Sequence, residues 1–93
     1  MSGFERPLPT TYRYRPEILA WLATHGLRPR DDTPPSLLHY AVNDLYSYEL
    51  RRLRAALLRG AFEKRTYAER VVLVRRRYPI LSVPVSEWVE RGR

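Results

Sequence analysis

The chain contains no cysteine, which excludes disulfides, Cys-based zinc sites and thiol nucleophiles together. Glycine is nearly as scarce. Only Gly3, Gly26, Gly60 and Gly92 occur in 93 residues, and they form no run that could cradle a phosphate. Long hydrophobic runs are missing too. The longest uncharged apolar-rich stretch, Ile18 to Leu27, falls far short of the ~20 residues that a membrane span needs. The segment Met1 to Pro7 holds no apolar signal-peptide core, so a cytoplasmic protein is the expectation. No serine sits in a nucleophile-elbow pattern. No enzymatic motif, cofactor or small-molecule substrate is legible.

What is present is arginine. The formal net charge is +7, and Lys64 is the only lysine among seventeen basic residues. The excess is concentrated between residues 61 and 78, where Lys64, Arg65, Arg70, Arg75, Arg76 and Arg77 outnumber Glu63 and Glu69. Such a balance favours an acidic protein or nucleic acid as partner. At 44% hydrophobic residues the chain can build a core. A chain this short buries only about 60 to 65% of its unfolded surface, so stability is thin unless it oligomerises.

Proline and glycine divide the sequence into an all-α plan. Residues 1–15 lack helical periodicity and read as an extended N-terminal arm, leaving 16–93 as a single helical domain. Pro16 suits the first turn of a helix, Ile18, Leu22 and Ala23 follow at helical spacing, and Gly26 closes it, predicting a helix over 16–25. Thr33, Pro34 and Pro35 start a second, with Asp31 and Asp32 facing its dipole, and Gly60 lies past its end. That predicts a helix over 34–59, about 39 Å long, against a domain diameter near ~32 Å. Such a helix projects, kinks near Tyr46-Ser47-Tyr48, or lies against a second subunit. Thr66-Tyr67-Ala68-Glu69 has the capping-box pattern, predicting a third helix over 66–77 with Tyr67, Val71, Val74 and Tyr78 inward. Pro79 stops it. Ile80 to Val85 reads as an extended C-terminal tail, with Ser86 capping a short turn that carries Trp88. The expected fold is a small three- to four-helix bundle with a long central helix. Its expected core includes Ile18, Leu22, Leu38, Leu45, Leu53, Val71 and Val74.

Three groups of residues are candidates for function. Tyr40, Tyr46 and Tyr48 make the central helix tyrosine-rich, and Tyr suits protein interfaces because it is broad, rigid and amphipathic. Glu49 falls among Val42, Leu45, Leu53 and Ala56 on the helical wheel, so it is expected to be a buried carboxylate paired with Arg52. Arg70, Arg75, Arg76 and Arg77 could contact phosphate, although cations in the last turn of a helix also complement its dipole. His39 and Asn43 stand one helical turn apart, but two such groups are too few for a metal site. The resulting expectation is a non-enzymatic interaction module, with no membrane association. It binds itself, as a homodimer, or an acidic protein through the central helix. The alternative is a nucleic-acid-binding module using the arginines of the third helix.

Overall fold

A computed structural model describes residues 10–90. The arm predicted over 1–15 therefore lies mostly outside the described residues. Three α-helices follow in order: α1, Pro16–Thr24; α2, Pro35–Leu58; and α3, Tyr67–Arg76. No strand occurs among the described residues, only one antiparallel bridge between Tyr14 and Val89, so the fold is all-α. No described helix is long and apolar enough to cross a membrane.

The helix ends follow from the punctuation. Pro16 and Pro35 occupy first turns, where a missing N–H is harmless. Gly26 and Gly60 adopt φ of 76° and 78°, which lets each helix end in a Schellman motif. The Gly26 N–H bonds Ala23 O and the Leu27 N–H bonds Leu22 O. Gly60 and Ala61 repeat this on Leu57 O and Ala56 O. The left-handed conformation costs any other residue a Cβ clash with the carbonyl.

Two caps differ from the expectation. Pro34, not Thr33, precedes α2, with no side-chain cap bond. The Thr33 hydroxyl accepts the Arg30 N–H instead (2.9 Å), and its carbonyl accepts the Tyr14 hydroxyl. Thr66 makes no capping-box bond because α3 is entered from a 3₁₀ turn, Lys64–Thr66. That turn leaves Thr66 in a helical conformation, and its hydroxyl bonds back to Glu63 O (2.8 Å).

The tail is where the fold departs most from the expectation. It is not extended but folded into two 3₁₀ turns, Pro79–Ser82 and Val85–Glu87. The first packs against both α1 and α2, the second against α2. Helix α1 is thus joined to the rest chiefly through the tail rather than directly to α2. The core consists of Tyr14, Ile18, Leu22, Leu38, Val42, Val74, Tyr78, Ile80 and Trp88. Leu53 and Val71, expected at its centre, are half-buried. Leu45 is 37% exposed and does not belong to it. The inward stripe of α2 runs through Leu38, Val42, Tyr46, Leu50 and Leu53, which takes Tyr46 rather than Leu45 towards α3.

Helix α2 is continuous through Ser47. Its 24 residues extend about 36 Å. The N-terminal half, with Pro35, Leu38 and Val42, enters the core, while the C-terminal half packs chiefly on α3 among the described residues.

Removal of Trp88, fully buried with its indole N–H bonded to Val83 O, is expected to cost about 3 to 5 kcal/mol in Trp88→Ala. Leu45→Ala should cost under about 1 kcal/mol, because little burial is lost. Urea titrations of the two variants measure both. A Trp88→Ala midpoint equal to the parent's would contradict the core assignment.

Candidate functional site

Glu49 is shielded by neighbours, but Arg52 is not its partner. One carboxylate oxygen accepts a hydrogen bond from Arg77 and the other accepts the Tyr78 hydroxyl. Glu49 points from α2 towards the end of α3, and Arg77 sits there because it immediately follows α3's last turn. Arg52 lies over the Tyr48 ring instead, 5.9 Å from its centroid. Position decides the exchange. The i, i+3 spacing puts Arg52 on the flank of α2, at the edge of the α2–α3 cleft, whereas Arg77 approaches Glu49 from the packed side.

His25 completes the cluster. Its ring stacks on Tyr78 at 4.2 Å and 7° between planes, and its Nε2 lies 2.9 Å from Arg77 O. Tyr46 meets the same Tyr78 ring edge-on at 5.3 Å. Tyr46, a candidate interface residue, is therefore half-buried and part of the packing. His39 packs near Trp88, with ring centroids 5.6 Å apart.

Partial burial pushes the Glu49 carboxyl upwards. The hydrogen bonds from Tyr78 and Arg77, with the charges of Arg77 and His25, outweigh it and hold the group below its ordinary value. Burial, then the bond to Glu49, raises the Tyr78 hydroxyl to about 12. Glu49 is thus an ionised anchor with both oxygens engaged. Its side chain is 30% exposed and that of Arg77 56%, so this is a half-open pair rather than a buried one.

Beside this pair lies a shallow cleft of about 420 Å³ between α2 and α3. Leu53, Ala56, Leu73 and Val74 line it, together with four arginines: Arg52 and Arg59 from α2, Arg70 and Arg77 from α3. The cluster Arg70, Arg75, Arg76 and Arg77 is therefore divided. Arg70 and Arg77 reach the cleft, whereas Arg75 and Arg76 are exposed in the last turn of α3 and do not line it. Arg70 is steadied by the Phe62 ring, 4.2 Å from its centroid, and by Thr66 Oγ1 at 3.3 Å. The sequence reading missed Arg59. The signal was the seven-residue interval, two helical turns, that separates Arg52 from Arg59 and Arg70 from Arg77.

The opposite side of α2 is open and carries several large exposed apolar residues. Leu37 is 61% exposed, Tyr40 69%, Tyr48 53% and Leu58 75%. Tyr40 and Tyr48 are thus both exposed.

Comparison of the chain with protein-family models, curated proteins and solved structures returns no match.

Two outcomes are expected for the cluster. Glu49→Ala should cost about 1 to 2 kcal/mol, since Arg77 rehydrates once freed, and Glu49→Gln less. The lowered Glu49 contributes stability present above the unfolded carboxyl pKa and lost as pH falls through its folded value. The Glu49→Gln variant should therefore show a smaller acid-induced loss than the parent. The raised Tyr78 behaves oppositely. Its share is full below pH 10 and disappears as pH rises towards 12, a slope that Tyr78→Phe should flatten. Thermal melts across pH check both; identical acid and alkaline profiles in parent and variants would contradict the arrangement.

Proposed function

We propose that this protein is a small non-enzymatic interaction module that binds protein, itself or another chain, through the outer face of α2. One observation carries the reading. Leu37, Tyr40, Tyr48 and Leu58, four large hydrophobic residues on one helix, are each more than half exposed. Scattered single apolar residues are ordinary on a protein surface; a line of them along one helix marks a contact surface. Tyrosine adds area at low entropic cost, since it fixes only two torsions. Glu49 is a poor general base in this reading, because a carboxylate held low by two donors has little tendency to take a proton. The other helices and the tail pack on the inner side of α2 and serve as its scaffold.

A photo-crosslinking residue placed at position 40 or 48 tests the proposal in source cells, with position 17 on α1 as control. The expected result is polypeptide adducts at 40 and 48 and none at 17. Absence of any preference for the α2 face would overturn it.

A second reading has its own observation, the four arginines around the α2–α3 cleft. Arg52, Arg59, Arg70 and Arg77 could follow a nucleic-acid backbone, a contact that releases counterions and weakens steeply with salt. Under this reading, binding of a labelled oligonucleotide should fall at least about tenfold between 50 and 200 mM salt. Loss of Arg59 and Arg70 together should make that fall shallower. Salt-independent binding, or none, would remove it.

A further inference from the structure

The outer face of α2 repeats at intervals of four and three. Leu37, Ala41, Asp44 and Tyr48 are followed by Arg51, Ala55 and Leu58, the spacing of a seam between two helices. All are exposed except half-buried Ala41, and Ala55 also borders the α2–α3 cleft. The sequence of types along this seam is nearly symmetrical about Tyr48. Leucine stands at both ends, alanine next to each, and Asp44 on one side matches Arg51 and Arg52 on the other.

We infer that the seam pairs with a second copy of itself, antiparallel, with the two-fold axis beside Tyr48. This rests on the proposal that the α2 face binds protein, and it names the partner. Reversing one helix against the other brings Leu37 to Leu58 of the second copy and Ala41 to Ala55. It sets Asp44 between the second copy's Arg51 and Arg52, and the two-fold repeats that contact. Charge complementarity decides the direction. A parallel pairing in register would oppose Asp44 to Asp44 and Arg51 to Arg51, and like charges in contact are disfavoured. The alanines let the helices approach, and the two Tyr48 rings meet at the centre.

The seam from Leu37 to Leu58 is about 32 Å long. One helix face of that length covers less than the ~800 Å² per partner of a standard interface. The net charge of +7 per chain also opposes association. The dimer is therefore weak, with Kd on the order of tens of micromolar at physiological salt.

The absence of native cysteine makes the register measurable. Ala41→Cys and Ala55→Cys chains are mixed with a short bis-maleimide crosslinker, which spans the gap between facing side chains of helices packed about 8 to 10 Å axis to axis. Each should crosslink to the other and neither to itself, since equivalent positions would sit about 21 Å apart along the axis. Sedimentation supplies the second readout. Asp44→Arg alone, and Arg51→Asp with Arg52→Asp alone, should each weaken self-association at least about tenfold. Mixing the two variants should restore it as a heterodimer, which loss of folding could not do. Crosslinking of each cysteine variant to itself would overturn the antiparallel register while leaving the α2 face as the binding surface. A strict monomer at several hundred micromolar would overturn the second copy as partner, and the photo-crosslinks at positions 40 and 48 would still decide the face independently.

Discussion

The fold depends on one indole. Trp88 is fully buried, and its ring N–H is bonded to Val83 O. Its own carbonyl accepts the Arg15 N–H at 3.0 Å, and two residues later the Glu90 N–H bonds Arg13 O at 2.8 Å. These bonds draw the segment before α1 onto the end of the tail. The tail's first turn packs on α1 and α2, so the two helices cohere largely through it. A short chain has too little surface to bury for three amphipathic helices alone to give a comfortable margin. Inserting Ile80 and Trp88 between them supplies apolar volume that α1, with nine residues, cannot provide.

This arrangement divides α2 into two regimes. Its first half lies in the core with Leu38 and Val42. Its second half is held by α3 through half-buried Leu50 and Leu53 and through the Glu49, Arg77 and Tyr78 bonds. The two halves are linked by Tyr78, which is buried in the core, stacks on His25 and donates to Glu49. A single tyrosine thus connects α1, α2 and the end of α3. The outward side of α2 is exposed and takes no part in the core.

Helix positions were legible because proline and glycine act locally. Pro16, Pro35 and Pro79 each fix φ and remove a donor, Gly26 and Gly60 permit the left-handed turn that closes a helix, and every helix ends within one residue of where they predict. The predicted α3 stripe was legible only in part: Val74 and Tyr78 reach the core, whereas Tyr67 and Val71 are half-buried. The tail was not legible. Its prolines argue against a strand but do not distinguish an extended segment from 3₁₀ turns, and the burial of Ile80 and Trp88 is decided by contacts with α1 and α2, far back in the chain. Glu49 shows the same boundary. The wheel located it on the packed side, yet its partner, twenty-eight residues on, follows from how α3 returns along α2. The division of the arginine cluster, with Arg70 and Arg77 at the cleft and Arg75 and Arg76 away from it, likewise needs the direction of α3 as well as the composition.

The bridge between Tyr14 and Val89 also bears on the order of events during synthesis. The three helices can form as soon as each has been made, since their hydrogen bonds are local. The core cannot close until Ile80 and Trp88 have left the ribosome, because nothing earlier in the chain fills their place. Until then Ile18, Leu22, Leu38 and Val42 remain uncovered. Contacts that join residues so far apart in sequence are slow to form, and apolar surface exposed in the meantime invites association. The nascent chain is therefore committed to folding after translation of the tail rather than helix by helix, and its native contacts are completed by nearly the last residues to emerge from the described region.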